Sequence, residues 1–515
     1  MSKHRSFWGI VLIALLATSL ASCTRDPNVK KQQFLKSGNE YFAKEKYREA
    51  AIQYLNAIKV DSRYAEAHYQ LAQAYLKLQI YSGAYQELLR TVDLQPEHLK
   101  AHLDIGNLQL GARQFMEAQE RAQLVLKKDP KNVEAHILLA NSYAALQDLP
   151  ASIQEMQTAI QMDPERAPSY LNLAVLQLGA KQADAAEASF KKAIELDAKS
   201  VQANLALGNF YGVQRRWADA ELLFRRAVQL DPKNPVTHAA LARLFLAQGN
   251  RQQSEEVLRE AKNAMSDVPK GYRLLGDFYV VTGEAQKALA EYGALYQQYP
   301  GDLQVKKNYA QLLIGANRLD EANKTTDEIL KKNPKDVDAI ILRAQLQMIR
   351  KQFADAVLTL ESSLKTEADN AILHFQLGRA LAASGNAARA ESEWREALRL
   401  APNYVAAQEA LSAAAAAKGD WEQASKSADA VILNNPNIPI GYLLRASARA
   451  GRGDFAGAEA DAKKAMELAP QSAVPYLQLG ALRASTRRYA EAEKLFERAL
   501  ELDPKNPFAY HSRGS

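Results

Sequence analysis

Moving along the chain in steps of 34 residues from Ser62 lands on Pro96, Pro130, Pro164, Ala198, Pro232, Ser266, Pro300, Pro334, Ala368, Pro402, Pro436, Pro470 and Pro504. Ten of these fourteen positions are proline, and no insertion interrupts the count. Around them stand variants of one heptapeptide: QLDPKNP from Gln229 to Pro235, ELDPKNP from Glu501 to Pro507, KKDPKNV from Lys127 to Val133 and KKNPKDV from Lys331 to Val337. A fixed period between 20 and 50 residues is the mark of a stacked repeat, because one short unit cannot bury its own apolar face and must lean on the next.

Placing the recurrent proline at position 32 starts the repeats at Lys31, Ala65, Leu99, Val133, Ala167, Val201, Pro235, Pro269, Leu303, Val337, Ala371, Val405, Pro439 and Ala473. Position 8 is glycine, alanine or serine in all fourteen, and position 20 is alanine except for Ser152 and Ser254. Aromatic residues recur nearby, among them Tyr41, Tyr75, Tyr143, Tyr211, Phe245 and Tyr279 at position 11 and Tyr54, Phe190, Phe224, Tyr292, Trp394 and Phe496 at position 24. Spacings of three and four connect these sites, which predicts two amphipathic helices per repeat. A turn near position 15 divides them, often with glycine, as in Gly249-Asn250, Gly419-Asp420 and Gly453-Asp454. The Asp-Pro turn ends the second helix, since a proline disfavours helical geometry in the residue before it. A coiled coil is excluded, because 34 is not a multiple of seven and breakers recur within every period.

The pattern resembles the tetratricopeptide repeat, a 34-residue helix-turn-helix with a small residue at 8, alanine at 20 and proline at 32; Val201 to Asn234 is among the closest copies. The resemblance implies an all-α, right-handed α-solenoid, with first helices on the concave side and second helices outside. Fourteen repeats then occupy residues 31–506, and 507–515 begin a fifteenth, with Tyr510 at position 4 and Gly514 at position 8. Solenoids usually need a polar cap and none is evident, so the expectation is that this end frays or is covered by a partner or a second copy. Departures cluster late: position 11 is Ala415, Arg449 and Arg483 in the last three repeats, and position 7 is Arg343 and Arg445 in two, so looser or altered packing is expected there.

The chain begins MSKHR, continues with an apolar run from Phe7 to Ala17, and then reads Leu20-Ala21-Ser22-Cys23. This is the order of a secretory signal: positive start, short apolar stretch, small residues before a cut. The run is shorter than the about 20 residues a membrane-spanning helix needs. Leu-Ala-Ser-Cys resembles the lipobox of bacterial lipoproteins, which implies a signal peptide over 1–22, lipidation of Cys23, a short linker over 23–30 and attachment to a membrane of the cell envelope. Thr24 after the cysteine implies, by resemblance to the sorting rule of enteric bacteria, an outer-membrane protein facing the periplasm.

Chemistry is sparse. Cys23 is the sole cysteine, which excludes disulfides and cysteine-ligated metal sites within one chain. Five of the eight histidines, His68, His102, His136, His238 and His374, share position 4, where helix spacing keeps successive copies too far apart to share a metal ion. GRGDFA, Gly451 to Ala456, is a turn between helices with no strand before it, and no phosphate-loop, zinc-protease or nucleophile-elbow motif is present. Neither a catalytic residue, a cofactor nor a metal is expected. The balance of 65 basic to 59 acidic residues, without a polybasic run, does not point to nucleic acid.

Binding remains. In the resembled family positions 2, 5, 9, 12 and 13 tend to face the groove; here about one in six of those residues is charged, against 24% for the chain, so an apolar groove is expected. Position 9 carries Asn39, Asn107, Asn141 and Asn209, which the resemblance implies as hydrogen-bonding partners for an extended peptide. Arg243, Lys270, Arg273 and Lys307 form a basic stripe in repeats seven to nine, suited to an acidic segment or anionic polymer. The carboxylate clamp of chaperone-binding relatives is not reproduced, because Lys307 is followed by Gln311 and Arg273 by Asp277. The expectation is a non-enzymatic, membrane-anchored scaffold that holds protein segments for assembly or secretion of an envelope complex. Its alternative is an exopolysaccharide-export or exosortase-associated lipoprotein that meets an anionic polysaccharide, and a remote alternative is a cryptic enzyme.

Overall fold

The computed structural model describes residues 26–504; the expected signal peptide, the lipidation site Cys23 and the partial repeat 507–515 lie outside the described residues. The described residues form helices joined by turns, in pairs that follow the 34-residue period. Each pair has a first helix (A) and a second helix (B). From the second repeat onward the A helices begin at Ala65, Leu99, Val133, Ala167, Val201, Pro235, Pro269, Leu303, Val337, Ala371, Val405, Pro439 and Ala473. The first starts earlier than the repeat boundary at Lys31. Asp26 accepts a hydrogen bond from the Asn28 N–H and Pro27 takes the first helical position, so helix extends into the segment 23–30 expected to be linker.

Local chemistry explains the punctuation. At position 15 the backbone is left-handed in every repeat, from Glu45 (φ 59) to Arg487 (φ 61), with glycine at five of these sites. The A helix thereby closes on itself: in repeat six the Arg216 N–H bonds the Tyr211 carbonyl at 2.9 Å and the Arg215 N–H bonds Gly212 at 3.1 Å. The B helix then starts on a cap, as where Asp148, Asn250, Asn386, Asp420 and Asp454 accept the N–H three residues on. In Asp-Pro-Lys-Asn, Asp129 accepts the Lys131 N–H and the Asn132 amide, while Asn132 caps the next A helix through the Ala135 N–H. The tetrapeptide is a self-locked turn.

The chain forms two compact bodies, one up to Gly271 and one from Tyr272. Within each, an A helix packs on its own B helix and that B helix on the next A helix. The core is the seam between them. All fourteen residues at position 20, from Ala50 to Ala492, are at most 2% exposed. Where serine replaces alanine its hydroxyl is satisfied across the seam: Ser152 donates to the Ala140 carbonyl at 2.7 Å and Ser254 to Ala242 at 2.8 Å.

Arginine at position 7 does not loosen the packing. Arg343 pairs with Asp327, and Arg445 pairs with Asp429 at 2.8 Å, in each case an aspartate at position 25 of the preceding repeat. Arg445 also binds the buried Asp461 through two nitrogens, and Arg449 reaches the same carboxylate at 2.9 Å.

Candidate functional site

Within each body, A helices of successive repeats touch one another as well as their own partners. The segments 99–111 and 133–145, 201–213 and 235–247, 303–315 and 337–349, and 337–349 and 371–383 do so, whereas no two B helices approach as closely. The A helices therefore line the inner side of each stack, and their exposed faces form its inner surface.

In the first body, position 9 presents Asn107, Asn141, Val175, Asn209 and Arg243 in five consecutive repeats. All are exposed except the half-buried Asn141. Apolar residues flank this row: Leu178, Val213, Val236 and Leu246 are all exposed. Carboxamides that both donate and accept, alternating with apolar surface, match an extended peptide, whose backbone needs hydrogen bonds and whose side chains need apolar contact. Asn39 differs from its counterparts, for its carboxamide oxygen accepts the Tyr54 hydroxyl at 2.9 Å. Burial of that phenol, with Glu66 nearby, pushes the Tyr54 pKa up to about 12, so the group stays a donor and Asn39 is committed to the fold.

The basic stripe is not a run of free charges. Arg243 and Lys270 are exposed and meet no carboxylate among the described residues; Arg243 bonds only the Ala239 carbonyl at 3.3 Å. In the second body Arg273 pairs with Asp302 at 3.2 Å, an aspartate that also accepts the Tyr272 hydroxyl at 2.6 Å. Lys307 lies 2.9 Å from both Asp336 and Asp338. Burial works against the charged form of Lys307, yet Asp338 and Asp336 hold its ammonium above the usual lysine range. Two of the four cations are spent inside the protein, and the field a polyanion would feel is correspondingly weaker.

An inner groove that the sequence did not single out lies in repeats nine to eleven. A cavity of about 420 Å³ is lined by Gln311, Gln345 and Arg379 at position 9 and by Ile314, Met348 and Ile349 at positions 12 and 13. The Gln345 Oε1 is buried and accepts no hydrogen bond among the described residues. These residues occupy the same register as the asparagines of the first body; extending the position-9 row beyond Asn209 finds them.

The position-4 histidines turn inward. His68, His102, His136, His238 and His374 each direct Nε2 at the carbonyl of residue 32 of the preceding repeat, at 2.9 to 3.2 Å. Gln408, Tyr442 and Tyr476, at position 4 of repeats twelve to fourteen, reach the corresponding carbonyl of the repeat before their own. Their shared role is to fasten one repeat's closing turn to the next repeat's A helix. No group of three or more His, Cys, Asp or Glu able to hold a metal ion occurs among the described residues.

Family models described as TPR repeat or tetratricopeptide repeat match residues 38–79, then 213–277, 282–346 and 450–512, and 103–167, 171–235 and 375–437. No curated protein matches the chain significantly. Among solved structures, MamA from Desulfovibrio magneticus RS-1 aligns over 33% of this chain and 96% of its own at 22% identity and a TM-score of 0.31. The Cut9-Hcn1 assembly of APC/C aligns over 97% of both chains at 13% identity and 0.37. PilF of Pseudomonas aeruginosa aligns over 42% of this chain and 98% of its own at 18% identity and 0.34. None of these scores reaches the level of a shared overall fold. The matches to the repeat itself run over more than half of the sequence, and the chain belongs to the tetratricopeptide repeat family.

Proposed function

We propose that this protein is a non-enzymatic scaffold, tethered to a membrane of the cell envelope through lipidated Cys23, whose A-helix faces hold extended segments of partner proteins during assembly or secretion of an envelope complex. The observation that carries the binding role is the groove of repeats nine to eleven, with its carboxamide and guanidinium row beside an apolar wall. Ile349→Glu places a charge on that wall at a site already exposed to solvent. It should lower the amount of partner crosslinked in intact cells about tenfold, the loss of one central interface contact, with the unfolding midpoint unchanged. Undiminished crosslinking removes the groove from the account.

The anchor rests on the sequence of residues 1–24. Two acyl chains hold a protein stably at a bilayer where one does so only marginally, so Cys23→Ser should move the protein from the membrane to the soluble fraction. Retention in the membrane after that change contradicts lipid anchoring. The polysaccharide reading loses its main support, because Arg273 and Lys307 are already neutralised by Asp302, Asp336 and Asp338.

A further inference from the structure

We propose that a cavity between repeats eleven and twelve, apart from the inner face, receives a tyrosine side chain presented by a partner protein. The repeat's own packing identifies the occupant. In repeat six, Tyr211 at position 11 donates its hydroxyl to Glu187, at position 21 of the preceding repeat, at 2.9 Å, and Arg216 lies 3.9 Å over the ring. Arg483 makes the equivalent bond to Glu459 in repeat fourteen, at 2.7 Å. In repeat twelve position 11 is Ala415, while position 21 of repeat eleven is still a glutamate, Glu391. One half of the pair is present and the other is missing.

A cavity of about 520 Å³ occupies the gap, lined among others by Glu391, Leu398, Gln408, Leu411, Ala415 and Lys418. Gln408 is 4% exposed; its Nε2 donates to the Pro402 carbonyl at 2.9 Å, and its Oε1 has no partner. Glu391 is held by Arg395 at 3.2 Å and by Lys418. An aromatic ring fits against Leu398, Leu411 and Ala415, its hydroxyl reaches Glu391 beside Arg395 and Lys418 as that of Tyr211 reaches Glu187 and supplies the donor that the Gln408 Oε1 lacks, and the Lys418 ammonium suits its face. Repeat three shows the same relation in smaller form: with Gln109 at position 11 a cavity of about 220 Å³ remains and the Gln109 Oε1 is again unpartnered. At the mouth, exposed Arg395, Asp420 and Lys426 offer both signs of charge to the peptide backbone that carries the ring.

The test uses the full chain and p-cresol, which is a tyrosine side chain without its backbone. Saturable binding that raises the unfolding midpoint is expected. Toluene, lacking the donor, should bind about tenfold more weakly. The capped peptide acetyl-Gly-Tyr-Gly-amide should compete with p-cresol, and Ala415→Phe should abolish binding of all three by supplying the missing ring. If Ala415→Phe does not fold, Ala415→Met fills the space with a more adaptable side chain and should have the same effect. Absent p-cresol binding, equal affinity for toluene, or binding that survives the filled cavity overturns the site; p-cresol binding without peptide competition overturns the partner.

Discussion

At the residue scale, the constraint that matters most is a pairing of sizes across the A–B seam. Of the six aromatic residues at position 24, five face a glycine at position 8: Tyr54 with Gly38, Phe224 with Gly208, Tyr292 with Gly276, Trp394 with Gly378 and Phe496 with Gly480. A methyl group added at Gly208 would sit 2.7 Å from the Phe224 ring, so something must move. Gly208→Ala is predicted to cost about 1–3 kcal/mol of stability, the usual penalty of overpacking. Phe224→Leu in the same chain should recover part of that loss, seen as coupling in a denaturant double-mutant cycle; strictly additive costs would contradict the pairing. The small residues at 8 and 20 were legible in the sequence, since they repeat without exception. Less legible was position 15, where Glu45, Arg113, Lys181 and Arg215 adopt the left-handed backbone that glycine takes in five other repeats. The closing turn of the A helix imposes that geometry on residues whose identity does not announce it.

At the scale of the helix, each surprise was a substitution in one element answered by another element. Arg343 and Arg445 looked like defects at an apolar position, yet the chain places aspartate at position 25 only in repeats nine and twelve, directly before each arginine. That signal was available from the repeat alignment. It becomes meaningful only once the packing shows that positions 7 and 25 of neighbouring repeats touch. Asp461 is the buried member of the network, held by both Arg445 and Arg449. Asp461→Ala strands those guanidiniums and is predicted to destabilise by about 3 kcal/mol, whereas replacing Arg445 and Asp461 together by leucine should cost much less, because a matched apolar pair avoids the desolvation of two ions. Chemical unfolding of the two variants checks this, and an equal loss in both would refute it. The cavity at Ala415 is the counter-case: a large residue is lost at position 11 and nothing in the chain replaces it.

For the whole molecule, the period determined the architecture before any helix was seen, because stacked units of one length gain their stability from neighbours and so must repeat the contacts that join them. The binding surface was legible only in part. Position 9 and its asparagines lie on the A-helix face, but apolar residues stand at position 12 in almost every repeat, so composition does not tell where that face forms a groove. That depends on how successive A helices lean together, which brings Gln311, Gln345 and Arg379 around the side chains of Met348 and Ile349. The central claim, that the A-helix faces hold partner segments, is tested most directly by placing a photo-crosslinking amino acid at single sites in intact cells. Gln345, Met348, Ile349, Leu178 and Leu246 lie on A helices, while Leu222 and Leu433 on B helices, 71% and 83% exposed, are more accessible than Ile349 at 47%. The account predicts protein adducts at the A-helix sites and none at the two B-helix sites. Adducts that follow exposure instead, strongest at Leu433 and absent from the groove, would contradict it.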